Sequence, residues 1–64
     1  LKMYTLTFNF RDHGSSAVYC DTTVTGKTAA AAYDAALELT YDEGHDEMVM
    51  ISLIAPSGAY LIYP

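Results

Sequence analysis

Apolar and polar side chains alternate along residues 3–10, so that every second residue is large and hydrophobic. A period of two with β-favouring residues predicts a strand that buries one face. The two faces carry Tyr4, Leu6, Phe8 and Phe10 on one side and Thr5, Thr7 and Asn9 on the other. Residues 11–15 are polar and contain a glycine, which predicts a hairpin turn. The alternation resumes over residues 17–24 and predicts the return strand.

The period changes after Gly26, where residues 28–42 are rich in Ala, Leu and Glu. These are good helix formers, so we expect a helix over about this range. Thr25 or Thr28 can cap its start by accepting a backbone N–H, and Gly44 is placed to end it in a left-handed conformation. One broad face of this helix collects Ala29, Ala32, Tyr33, Ala36, Leu37 and Thr40.

Two apolar segments, residues 48–55 and 59–63, predict the third and fourth strands. Pro56, Ser57 and Gly58 between them predict a tight turn. The order ββαββ predicts one α+β domain over residues 1–64, a four-stranded sheet with one helix packed on one face, and it leaves the strand order open. The predicted core consists of Leu6, Phe8, Val18, Ala32, Ala36, Ile51 and Leu53.

The last hairpin is apolar on both of its faces. Strict alternation in the third strand groups Val49, Ile51 and Leu53 on one face and Met48, Met50 and Ile54 on the other. Because one helix covers only one face, we expect side chains such as Met48, Met50 or Tyr63 on the open face. An exposed apolar patch of this kind often marks an interface, so homodimerisation through the open face is one hypothesis.

Charge is distributed unevenly along the chain, whose net charge is −5. The only bases are Lys2, Arg11 and Lys27, and the six acids that follow them give the rest of the chain a side-chain charge of −6. Direct binding to nucleic acid needs basic groups for the phosphates, so this distribution argues against it. It favours a basic protein surface as the partner.

The acids cluster in and after the predicted helix. Asp34, Glu38 and Asp42 recur at intervals of four residues without a compensating Lys, and like charges at this spacing repel each other. Acids near a helix C-terminus also oppose the macrodipole. A small domain tolerates these costs more readily if the charges are used. The predicted partner-binding residues are Asp34, Glu38, Tyr41, Asp42, Glu43, Asp46 and Glu47.

Motifs for catalysis are weak, and we expect no enzyme activity. The segment Gly26-Lys27-Thr28 lacks the earlier glycine of a phosphate-binding loop, where Asp21 stands instead. The acids around His45 match neither calcium nor zinc spacing, so no metal or cofactor is predicted. The single Cys20 excludes an internal disulfide and fits a reducing compartment such as the cytoplasm. The apolar runs are too short to cross a membrane.

Taken together, the size, the ββαββ order, the lone Cys20 and the acids between Asp34 and Glu47 make the chain resemble small acidic phage-encoded anti-CRISPR proteins. The resemblance is to inhibitors of type I surveillance complexes that mimic DNA. It implies a non-enzymatic inhibitor in the host bacterial cytoplasm. The implied partner is a basic DNA-binding protein, such as the large subunit that reads the protospacer-adjacent motif, bound by a monomer or weak homodimer.

A second resemblance covers about a quarter of the chain. The segment Thr25-Gly26-Lys27-Thr28, with Ala32, Ala36 and Leu37, is similar to the strand-to-helix junction of HicB-like antitoxins. The strand before it lacks the proline-containing motif of that family. This resemblance implies, as the alternative, a domain that neutralises a toxin.

Overall fold

A computed structural model describes residues 2–17 and 21–64 and contains the five elements in the predicted order. They are β1 (Tyr4–Arg11), β2 (Thr22–Gly26), α1 (Ala29–Asp42), β3 (Glu47–Ile54) and β4 (Tyr60–Ile62). Neighbouring strands are antiparallel, and their order across the sheet is β2-β1-β3-β4. The α+β fold with one open sheet and one helix is therefore confirmed.

The core lies between α1 and the central part of the sheet. Its buried apolar residues are Leu6, Phe8, Ala32, Ala36 and Leu53. Because Ala32 and Ala36 present only methyl groups, the helix backbone can approach the strands closely. The predicted core residue Val18 lies outside the described residues, and Ile51 is only half-buried, so its assignment to the core was wrong.

A β-bulge in β3 explains the error at Ile51. Thr7 pairs with Ser52 and Phe8 pairs with Met50, so that Ile51 has no direct partner on β1. An extra residue on one strand reverses the phase of its alternation. Met48 consequently packs against the core, and the predicted grouping of Val49, Ile51 and Leu53 on one face was wrong.

The ends of α1 follow local rules. Thr28 has an extended backbone, and its hydroxyl accepts a hydrogen bond from the amide of Ala31 at 3.0 Å. At the other end Gly44 takes a φ of 81°, and its amide donates to the carbonyl of Tyr41. The amide of His45 donates to the carbonyl of Thr40, which completes a Schellman motif. Both the Thr28 cap and the Gly44 stop are confirmed.

The return strand begins later than predicted. Residues 17 and 21 lie outside the strands, residues 18–20 are not described, and β2 continues to Gly26 instead of ending at Val24. The described pairing of β2 with β1 runs from Thr22 opposite Phe8 to Gly26 opposite Tyr4. β3 and β4 lie within one residue of their predicted bounds.

Gly26 brings the end of β2 against the first turn of α1. A Cβ atom at this position would contact the backbone nitrogen of Ala32 and lie 2.8 Å from the carbonyl carbon of Ala31. The glycine in Gly26-Lys27-Thr28 therefore serves strand–helix packing. Within residues 2–17 and 21–64, no helix has the length and apolar character needed to span a membrane.

Candidate partner-binding surface

Four exposed acids occupy the solvent side and the C-terminal end of α1. Successive residues of an α-helix are separated by about 100°, and α1 packs on the sheet through Ala32, Ala36 and Thr40. The same periodicity places Asp34, Glu38 and Asp42 on the opposite side of the helix, where all three are exposed. Glu43, which is also exposed, is the C-cap residue directly after them. We call Asp34, Glu38, Asp42 and Glu43 the acidic helix surface.

The carboxylates of the acidic helix surface have no partner in the part of the chain that the structure describes. Among the described residues, no hydrogen bond or ion pair involves any of these four side chains. The last turn of α1 contains no base, and the macrodipole is negative at this end, so neither compensates the charges of Asp42 and Glu43. The surface therefore offers unpaired negative charge to solvent or to a partner.

The two remaining acids of the predicted cluster are engaged inside the molecule. Asp46 accepts a hydrogen bond from the backbone amide of His13 at 2.9 Å. A carboxylate oxygen of Glu47 lies 3.2 Å from the guanidinium Nε of Arg11. The two residues are also direct partners in the pairing of β1 with β3. Asp46 and Glu47, which we call the loop acids, thus hold the turn after β1 against the start of β3. The six acids are therefore divided between two environments.

His45 strengthens the same junction between the two loops. Its ring stacks on Phe10 with a centroid separation of 4.8 Å, and its Nδ1 lies 3.1 Å from a carboxylate oxygen of Asp12. The Schellman motif at the end of α1 sets the position of this ring. His45 and the loop acids consequently connect the end of β1 and the turn after it to the start of β3.

Tyr41 is the aromatic side chain beside the acidic helix surface. It is 61% exposed and precedes Asp42 on the last turn of α1. A large, rigid and amphipathic side chain in this place is typical of an interface anchor. Tyr19, also expected at the surface, lies outside the described residues.

The open sheet face is polar on its β1–β2 side, as the alternation of β1 predicts. The alternation that directs Leu6 and Phe8 toward α1 directs Thr5 and Thr7 away from it, and the register places Thr25 and Thr23 beside them. The hydroxyl oxygens of Thr7 and Thr23 are 3.3 Å apart. The exposed large apolar side chains of the last hairpin are Met50, Tyr60 and Leu61, with Tyr63 directly after β4. The register pairs Met50 with the core residue Phe8, so Met50 lies on the helix side of the sheet and its expected place on the open face was wrong.

The other candidate sites gain no geometric support from the described residues. No group of three or more His, Cys, Asp or Glu side chains is placed to hold a metal ion there, and that part of the chain contains no pocket. Cys20 lies outside the described residues. Comparison with protein-family models, with curated proteins and with solved structures finds no match.

Proposed function

We propose that this chain is a non-enzymatic inhibitor that binds a basic nucleic-acid-binding protein through the acidic helix surface, acting as a mimic of DNA. The observation that carries the proposal is the set of four exposed carboxylates without an internal partner. Such charges do not stabilise the fold, since they repel each other and oppose the macrodipole. It is available to pair with a cation on another molecule.

The spacing of the acids on the acidic helix surface suits such a partner. Residues four apart on a helix lie roughly 6 Å from each other, and Asp34 to Asp42 span about 12 Å along the axis. Lys and Arg side chains arranged for a nucleic-acid backbone meet negative groups at comparable intervals. Each carboxylate can bind an Arg in a bidentate manner, which adds geometry to charge.

The partner class follows from charge and from the resemblance to anti-CRISPR proteins. A surface charge of one sign steers association with a surface of the opposite sign. The leading candidate is a type I CRISPR surveillance complex in the host bacterial cytoplasm, at the subunit that reads the protospacer-adjacent motif. A basic toxin is the alternative partner that the antitoxin resemblance implies.

A competition experiment tests the proposal. A labelled DNA duplex with the protospacer-adjacent motif is bound to a purified type I surveillance complex, and the protein is titrated in. We expect displacement of the DNA by the natural sequence. In the variant Asp34→Asn/Glu38→Gln the half-inhibitory concentration should rise at least ~10-fold, because two charge-assisted contacts are removed.

The loop acids provide the matched control. Asp46→Asn/Glu47→Gln removes the same number of charges, but from carboxylates that contact Arg11 and His13. Its half-inhibitory concentration should change by less than ~3-fold, provided that circular dichroism shows a native fold. Equal inhibition by both variants and the natural sequence would contradict the proposal. If the protein displaced the substrate of a toxin and did not displace DNA from the surveillance complex, the function would be that of an antitoxin.

A further inference from the structure

The last quarter of the chain carries no charged side chain at all. Residues 48–64, which include β4 and most of β3, contain no Asp, Glu, Lys, Arg or His, although the chain as a whole has a net charge of −5. This segment forms one end of the sheet, because β4 is an edge strand. The molecule therefore has a strongly acidic helix and an uncharged sheet edge.

Exposed edge strands are normally protected, because their free N–H and C=O groups can pair with another chain. Charged side chains are a frequent means of protection. The opposite edge strand β2 has Asp21 and Lys27 at its two ends. β4 has only tyrosine, leucine and isoleucine.

The helix does not shield this edge. α1 contacts β2, β1 and β3, and among the described elements it makes no contact with β4. Tyr60, Leu61 and Tyr63 are 43%, 54% and 75% exposed, and Met50 on the neighbouring strand is 42% exposed. The rings of Tyr60 and Tyr63 stack on each other with centroids 5.3 Å apart, which forms an ordered aromatic surface beside the edge.

We propose that β4 pairs with β4 of a second copy, so that the chain forms a two-fold symmetric dimer. A two-fold axis brings the same residues of both copies together, which is costly wherever they carry charge. The β4 edge avoids this cost, whereas the acidic helix surface would place like charges against each other. Antiparallel pairing about an axis perpendicular to the sheet gives eight strands with both helices on one face.

The exposed area indicates that the dimer is weak. The three apolar side chains on and directly after β4, Tyr60, Leu61 and Tyr63, expose on the order of 400 Å² per copy, about half of the ~800 Å² per partner of a standard interface. The remaining repulsion between two chains of net charge −5 opposes association and is screened by salt. Dimerisation should therefore strengthen as salt is added.

Sedimentation equilibrium tests this proposal over protein concentrations from ~10 μM to ~1 mM at low and high salt. We expect a monomer–dimer equilibrium that tightens with salt. Leu61→Lys places two like charges next to the axis and should weaken the dimer at least ~10-fold, although it lowers the net charge of each copy. Thr25→Lys makes the same change of charge on the other edge strand and should leave the dimer constant within ~2-fold.

Amide hydrogen exchange gives a second measurement that needs no variant. Protection of the β4 amides should rise with protein concentration, while protection of β2 should stay constant. A chain that stays monomeric at the highest concentration and salt, or a dimer that Leu61→Lys leaves unchanged, would overturn the proposal. The variant Asp34→Asn/Glu38→Gln should dimerise at least as well as the natural sequence, so failure here is distinguishable from failure of the proposed function.

Discussion

At the scale of single residues, Gly26 is the position that depends most on having no side chain. It belongs to β2, and the first turn of α1 packs directly against its Cα. The neighbouring atoms are helix backbone, which cannot move aside as a flexible side chain can. Gly26 is therefore needed because a larger side chain would not fit, and not because its backbone angle is unusual.

Gly26→Ala should lower the free energy of unfolding by ~3 kcal/mol, because the added methyl group overpacks the strand–helix contact. A loss of this size is a large part of the ~3–10 kcal/mol expected for a domain of 64 residues. Urea denaturation followed by circular dichroism measures it.

Gly14→Ala is the control for that substitution. Gly14 has a φ of 78°, but a Cβ there would meet no atom within 4 Å. Backbone strain alone should then lower the free energy of unfolding, by about 1 kcal/mol. Equal stability losses in the two variants would show that Gly26 does not act through packing.

Other residues differ in how far the sequence could predict them. Gly44 was predictable because the C-cap of a helix is a local arrangement within a few residues. Ile51 was not, because the bulge that turns it out of the core depends on how β1 and β3 align, 43 residues apart at Phe8 and Ile51 in the printed sequence. The engagement of Asp46 was equally hidden, since its partner His13 comes from a distant turn.

At the scale of elements, α1 has both the clearest local signals and an unfavourable charge pattern. Its bounds, Ala29–Asp42, agree with the prediction because composition and both caps lie within the segment itself. β2 was placed less well, because the bounds of a strand depend on its pairing with a partner strand, which here runs from Tyr4 to Phe8 of β1. Whether the acids at the C-terminal end of α1 destabilise the helix can be tested without any partner.

Asp42→Asn/Glu43→Gln should raise the free energy of unfolding by about 0.5–1 kcal/mol at low ionic strength, because it removes acids that oppose the macrodipole. Thermal melts at low and high salt would measure the gain, which should shrink as salt screens the charges. A destabilised variant would mean that these side chains support the fold. That result would remove the argument that they are kept for a partner.

At the scale of the whole molecule, charge and apolar surface are separated. The acidic helix surface lies on the helix layer, and the uncharged edge lies at β4. The sequence predicted an acidic cluster and an exposed apolar patch. The alternation of β1 also predicted threonines on the open face, but the sequence could not place the apolar side chains at the β4 edge, because it left the strand order open.

The two proposed contacts respond to salt in opposite directions. Binding of a basic partner through the acidic helix surface should weaken as salt rises, whereas pairing of two acidic copies through β4 should strengthen. One protein preparation can therefore separate the two surfaces without any mutation. The proposed function rests on the acidic helix surface.

The most direct test of that surface is the salt dependence of inhibition, measured with the surveillance complex and DNA duplex described above. For the natural sequence, the affinity for the complex should fall at least ~10-fold between ~50 and ~300 mM NaCl. For Asp34→Asn/Glu38→Gln/Asp42→Asn/Glu43→Gln, the weakened affinity should depend little on salt. An affinity that is the same for both proteins, or that does not fall with salt for the natural sequence, would contradict binding through the acidic helix surface.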